Sequence, residues 1–395
     1  ADATAAAIGT VAVGYSALTA LTSGADNVGV GYQTMLSVTG GQHNAMLGDS
    51  TGKAVTAGTS YSAVLGSQAF SGSHATQSDH CVSIGYNALS GALDNADGTV
   101  AVGSGALAAL TSGASNTAVG YTAGAEEVAG NNNTMIGYEA LHDGGGLANL
   151  SNTVIGAGAG GGTWANNASS YNTIVGQGAM SDAMDGALHN VAVGYLSGAV
   201  ITEGQRNTFV GGAAGNSCTT GDKNTSIGND SDVAAAVDNQ IAIGYTAITS
   251  VTDAICIGVG ITNGTTRTVK FGDAGQSMIS QDWDSAGDST WTRSSDRRRK
   301  RNIKDNTLGL EFINKLQTRT FQMKPQNELP KEWVSYSETN RYDTEKVHIG
   351  FIAQELKELI DEYGAPDEVG SWSEDDDGMQ RAGETKLITP LIKAV

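Results

Sequence analysis

Proline is nearly missing from this 395-residue chain: Pro325, Pro330, Pro366 and Pro390 are the only four, and all lie beyond position 290. Cysteine is scarcer still. Cys81, Cys218 and Cys256 are far apart and odd in number, which makes neither a disulfide framework nor a zinc site. No run of about 18 apolar residues occurs, so membrane insertion is not expected. Basic residues are few, 22 against 41 acidic for a net charge of −19, and that balance argues against a nucleic-acid partner bound through its backbone. The chain opens at Ala1 with neither a Met nor a charged-then-apolar leader, which reads as a fragment or a processed product.

Glycine, by contrast, is abundant. The chain has 54, about one residue in seven, and 48 of them fall in residues 1–290 with 5 basic and 22 acidic residues. Collagen needs one-third glycine in a strict triplet, so it is excluded. Glycine without proline suggests either disorder or a repeat, and a repeat is present. Asn116-Thr-Ala-Val-Gly120, Asn133-Thr-Met-Ile-Gly137, Asn152-Thr-Val-Ile-Gly156 and Asn172-Thr-Ile-Val-Gly176 share one pattern. Asn190-Val-Ala-Val-Gly194, Asn207-Thr-Phe-Val-Gly211 and Asn224-Thr-Ser-Ile-Gly228 continue it.

With the final Gly as marker, fifteen repeats run from Gly14 to Gly258 in steps of 14 to 20 residues. The residue before the marker is always Val, Leu or Ile, and two residues earlier stands Val, Ile, Thr or Ala. Between them the residue varies from Ala and Ser to Met, Phe and Cys. That is period-two alternation and predicts a short strand, not a helix. The marker Gly suits a turn with positive φ or a close backbone approach. The Asn suits a turn too, and Asn side chains stacked in register would form a ladder.

Repeats this short cannot close a core alone, so their turns must stack. The expected fold is mainly β: a parallel β-solenoid over residues 1–270, a closing segment over 271–294, and a small helix-rich α+β domain over 295–395. Fifteen rungs at about 4.8 Å give a rod of roughly 70 Å. Large apolar residues are few, so the core of one chain would be thin, and trimerisation through apolar faces is expected. Length variation falls in Leu36–Gln42, Lys53–Ser60, His142–Leu150 and Gly160–Ser170, read as outward loops and the place for binding.

The repeats resemble the heads of trimeric autotransporter adhesins and, equally, the Asn-Thr-Ala-Val-Gly-Tyr repeats of phage tail fibres. From Trp291 onward the composition becomes ordinary. Ser294-Ser295-Asp296-Arg297-Arg298-Arg299-Lys300-Arg301-Asn302-Ile303 is followed by Leu308, Leu310, Phe312, Ile313 and Leu316 at helical spacing. His348-Ile-Gly-Phe-Ile-Ala-Gln-Glu355 then leads into Ile352, Leu356, Leu359, Ile360 and Tyr363, one helical face. A final apolar segment, Thr385–Val395, ends as a helix cut short.

That ordered set resembles the C-terminal intramolecular chaperone auto-processing domain of phage tail spikes, tail fibres and endosialidases. The resemblance implies a domain that trimerises, guides folding of the preceding fibre and then cuts itself off. It implies Ser295 as nucleophile, Ser294–Ser295 as the scissile bond and Lys300 as the dyad partner. Asp296, Arg298, His348, Gln354 and Glu355 are supporting candidates. A longer helical tail normally follows the final Ala in that family. The chemistry also follows from the residues: a Ser hydroxyl needs a base to take its proton, and a neutral Lys can serve. Arg298, Arg299 and Arg301 supply neighbouring cations that lower a lysine pKa. The only catalysis expected is this single-turnover serine endopeptidase step.

The expected function is therefore host attachment by a homotrimeric phage tail fibre, exposed on the virion, with a host glycan or protein as receptor. Other tail proteins would join its N-terminal end. A bacterial extracellular adhesin or a glycan-degrading tail spike are the alternatives, and receptor-binding residues are unassigned. Weaker signals are set aside. Gly156-Ala-Gly158-Ala-Gly160-Gly161 opens no helix, so it is not a nucleotide loop. His43, His74, His80, His142, His189 and His348 lack ligand spacing, with His74 and His80 read as exposed loop residues. Asp49, Asp230 and Asp232 remain weak cation candidates, and neither metal nor cofactor is expected. The Tyr residues after the marker Gly read as caps on the rung below, with sugar stacking the lesser alternative. Trp283 and Trp291 read as packing in the closing segment.

Overall fold

A computed structural model describes residues 7–56, 58–74, 76–146, 148–164, 167–274, 277–280, 291–293, 297, 301–306, 308–331, 333, 335–340, 343–363, 372–374, 378–383 and 387–395. The chain divides into two compact units, Ala1–Ser294 and Ser295–Val395.

The first unit is a β-solenoid. Three-residue strands begin with Val11–Val13 and recur once per repeat. Each pairs in parallel with the strand of the next repeat, with like positions aligned: Thr134 faces Thr153, Met135 faces Val154 and Ile136 faces Ile155. Consecutive repeats are therefore neighbours, and the chain coils on itself. The ladder continues one rung past the fifteen, through Val269–Asp273 with Gly272 as its marker. Phe271 stands there in place of the aliphatic residue, which hid the rung from the repeat pattern. Ser277–Ser280 and Trp291–Arg293 then add antiparallel strands and close an 18-stranded sheet.

The alternation holds, with an instructive assignment of faces. The variable middle residue points inward and is buried, whereas the Val, Leu or Ile before the marker and the aliphatic residue or Thr two positions earlier point out, as in Thr134–Ile136 and Thr153–Ile155. A thin core is filled by size compensation. Met46 occupies the space above Gly52, whose added Cβ would lie 2.5 Å from the Met46 sulfur. Met135 does the same at Gly124, and Phe209 at Gly198. Behind each marker a small buried residue such as Ala88, Ala106, Ala123 or Ala140 narrows the coil.

The marker glycines take φ between +126° at Gly244 and +150° at Gly258, a region that L-residues rarely enter. They also touch: a Cβ on Gly137 would sit 2.6 Å from the Gly156 carbonyl oxygen. The Asn residues do form a ladder. Asn172 N–H donates to Asn152 Oδ1 at 2.9 Å, and Asn152 N–H donates to Asn133 Oδ1 at 2.9 Å. The left-handed turn itself falls one residue earlier, at Ser151, Tyr171, His189 and Arg206.

The expected outward loops are only partly outward. Val38, Val55 and Trp164 are buried in the solenoid core, and the Trp164 indole N–H donates to Gly160 O at 3.1 Å. His74, expected on the surface, is fully buried edge-on against Phe70. The repeat places it inward because its neighbour Val55 pairs with it in a parallel bridge. His80 is exposed as expected and stacks on Tyr61 at 5.2 Å.

The second unit is small. Helix α1 spans Leu310–Lys315, α2 Ala353–Glu362 and α3 Ile388–Ala394. Two short antiparallel pairs accompany them, Arg319–Gln322 with Val347–Gly350 and Trp372–Glu374 with Gln380–Ala382. Leu308, Phe312, Leu356, Ile360 and Leu387 form its core. Leu356 and Ile360 come from the expected face of α2. Among the described residues no helix is long and apolar enough to cross a membrane.

Candidate functional site

In the second unit the strand Val347–Gly350 delivers the chain into α2, and this connection carries the expected supporting residues. His348 is half-buried, and its ring stacks on Phe321 of the paired strand with centroids 5.8 Å apart. Gln354 is exposed on the first turn of α2. Glu355, next to it, is held by Arg319 in a bidentate contact: Nη2 donates to Oε1 at 2.9 Å and Nε to Oε2 at 3.0 Å. Planar guanidinium–carboxylate pairing of this kind fixes orientation as well as charge. A groove of about 550 Å³ runs beside it, lined by Asn314, Lys315, Gln317, Arg319, Glu355 and Glu358.

The structure thus ties Glu355 to the His348 hairpin through Arg319, whose strand partner is Gly350, two residues after His348. Arg319 was invisible to sequence reasoning. It lies 36 residues before Glu355, in no motif, and only the hairpin register brings them together. Ser294, Ser295, Asp296, Arg298 and Lys300 lie outside the described residues.

In the solenoid the titratable groups are of another kind. Glu127 is fully buried. Its Oε2 accepts from Asn149 Nδ2 at 3.0 Å, while Oε1 has no hydrogen-bond partner. Burial pushes its pKa up to about 7, with the Asn149 amide and nearby backbone N–H groups offsetting part of the effect. Burial likewise pushes the thiols of Cys81 and Cys218 up, to about 12 and about 11, and raises that of Cys256. All three are free and buried, hence poor nucleophiles. His74 is driven down to about 4 by burial.

The weaker cation candidates do not converge. Asp232 Oδ1 accepts the N–H of Ser217 and of its neighbour Val233, and Asp49 stands ten rungs away. Among the described residues no group of three or more His, Cys, Asp or Glu could hold a metal ion. The Tyr residues after the marker Gly stack on one another, Tyr15 on Tyr32 at 5.4 Å and Tyr121 on Tyr138 at 5.5 Å. One face of each ring is covered by its neighbour, as the capping reading expects, while the rings stay half or more exposed. Sequence reasoning missed a second aromatic row, His43–Tyr61–His80 and Tyr171–His189. Its signal was present, a fixed offset of five residues before the marker.

No curated protein and no solved structure matches the chain. A family model does match residues 295–365, the segment that opens with Ser295-Asp296 and closes beyond α2. The matching model is that of the chaperone of endosialidase, a peptidase family associated with auto-processing, and with the solenoid before it the match is consistent with a tail-spike-like architecture.

Proposed function

We propose that this chain is the distal part of a homotrimeric phage tail fibre or spike. Its solenoid is the shaft or head, and its loops meet a glycan or protein on the host surface. The C-terminal domain trimerises, sets the register of the fibre and then leaves by self-cleavage. The observation that carries the reading is the family match beginning at Ser295, directly behind a stacked parallel solenoid. The C-terminal helix adds support: Ile388, Leu391, Ile392 and Val395 are exposed at i, i+3, i+4 and i+7, the stripe a partner helix would cover.

In the cleavage step Lys300, neutral, takes the proton of the Ser295 hydroxyl. The Ser295 oxygen attacks the Ser294 carbonyl carbon, and the C–N bond breaks as Lys300 returns the proton to the departing amine. The resulting ester between Ser294 and Ser295 Oγ is opened by water, which leaves a carboxylate at Ser294 and a free amine at Ser295. Arg298 and its neighbours hold the lysine pKa down, and Asp296, His348 and Gln354 line the site. Glu355, already paired with Arg319, acts by orienting the hairpin.

The test is direct. The refolded parent gives two bands in denaturing electrophoresis, whereas Ser295→Ala and Lys300→Ala each give one full-length band. A single full-length band from the parent overturns self-cleavage. Incubation of the trimer with host envelope glycans decides the attachment role: binding without product supports a fibre, and released oligosaccharide marks a depolymerase.

A further inference from the structure

The two outward rows of the solenoid strands form an apolar surface without a partner. At the two strand positions before each marker Gly that point outward, no charged residue occurs in any of the fifteen repeats. Yet residues 1–290 carry 22 acidic and 5 basic residues. Val13 is 55% exposed, Leu65 52% and Ile136 38%, so these side chains are not spent on their own core. Period two continues the same face on either side. One flank is the row after the marker, with exposed Tyr residues from Tyr15 to Tyr245 and Asp49; the other is the row that includes His43, Tyr61, His80, Tyr171 and His189, where Asp26, Arg206, Lys223 and Asp253 bring charge to the edge of the face.

The area is too large for a lone soluble chain. Nine exposed aliphatic residues and nine exposed Tyr residues belong to it. At about half exposure they present on the order of 1,500 Å², against the few hundred Å² of apolar patch common on a monomer. One partner in a standard interface contributes about 800 Å². A single neighbour would cover roughly half of this face, and two neighbours would cover it all.

We propose that this face is where copies of the chain pack against each other, side by side and parallel, each presenting it to two others. The inference rests on the trimeric reading above and adds the surface that makes the trimer. The occupant follows from the chemistry: a long, uncharged face of aliphatic residues and threonines repeating every rung is matched in length and spacing by the same face of another copy.

Two measurements on the full chain test it. Ile136→Glu with Ile155→Glu places charge on the face at side chains partly exposed within one chain, and Ser73→Glu with Asn216→Glu places equal charge elsewhere on the surface. By light scattering the parent and the second variant are trimers, and the first falls to monomers or dissociates at least tenfold more readily. Oxidation of Val119→Cys gives disulfide-linked dimers, since the native thiols are buried in the core. A face variant that stays trimeric without loss of affinity overturns this inference and leaves the trimeric reading intact. A parent that is a folded monomer overturns both. Should the double Glu variant fail to fold, Val119→Cys decides, and absence of an interchain disulfide in a trimeric parent overturns the face.

Discussion

Glu127 shows how a single buried residue contributes a pH dependence to the solenoid. Its pKa rises from 4.5 to about 7 on folding because the coil removes it from water. The folded chain therefore holds the proton more tightly than the unfolded chain. Glu127's own contribution to stability is full at acid pH and is lost as pH rises from 4.5 towards 7; buried His74, held down to about 4, acts in the opposite direction and costs stability as pH falls below 6.5. Two and a half pH units correspond to about 3 kcal/mol. Glu127→Gln keeps an acceptor for Asn149 and removes the charge, so its melting temperature at pH 8 exceeds the parent's, while at pH 5 the two nearly coincide. A Glu127→Gln variant whose melting temperature differs from the parent's by the same amount at pH 5 and pH 8 contradicts this. The marker glycines carry a different cost. Gly137→Ala meets both a φ of +139° and the Gly156 carbonyl, and is expected to lose about 3 kcal/mol or more. Gly146→Ala, with open space around it, changes stability by less than about 1 kcal/mol. Denaturant midpoints of the two variants separate these outcomes.

At the scale of one rung, the unit of stability is the stacked pair. Hydrogen bonds along the axis run through backbone strands and the buried Asn ladder together. Asn152 is a link in that ladder: it accepts from the backbone and side chain of Asn172 and donates to Ser169 O. Asn152→Ala leaves the buried Asn172 N–H and Ser169 O without these partners, a loss of about 2 to 4 kcal/mol. Asn152→Asp is expected to be worse at neutral pH, because it buries a charge and loses the donor to Ser169 O. Hydrogen exchange is the sensitive readout, with the amide of Asn172 losing protection first. The ladder and the core obey opposite demands. The ladder repeats one residue over the seven rungs from Asn116 to Asn224, whereas the core needs neighbours of unequal size, so Met46 and Phe209 sit against Gly52 and Gly198.

For the molecule as a whole, uniformity has a consequence. A face whose outward residues repeat at every rung is nearly as apolar after a slip of one rung as before it. Register between copies is then weakly specified by the solenoid itself. Long-range parallel pairing is also slow to form. Both features favour a folding device at one end, and the C-terminal unit has its own core to serve as one. Removing it after assembly would leave the rod kinetically trapped. Hence Ser295→Ala trimers, which keep the domain, are expected to refold after denaturation, whereas cleaved trimers do not. Equal recovery of the two contradicts this role. Cleavage would shift the charge as well: residues 1–290 carry a net −17, from 5 basic and 22 acidic residues, and most of the remaining basic residues would leave with the domain.

Much of this was legible in the chain itself. The spacing of fifteen glycines, each behind a Val, Leu or Ile, determined a stacked parallel solenoid, because a local period-two pattern with a fixed turn allows little else. The order of Ser295-Asp296, His348–Glu355 and the terminal apolar helix pointed to the chaperone domain that the family match carries over 295–365. Alternation alone cannot say which of two faces turns inward, since both period-two rows are apolar or small. Packing decided that: of the three strand residues in each rung the narrow coil has room for one, and it took the variable one. The burial of Glu127, His74 and Trp164 and the pairing of Arg319 with Glu355 were likewise out of reach. Each depends on which residues of distant turns share a place in space, and that is a property of the stacked chain, not of any stretch within it.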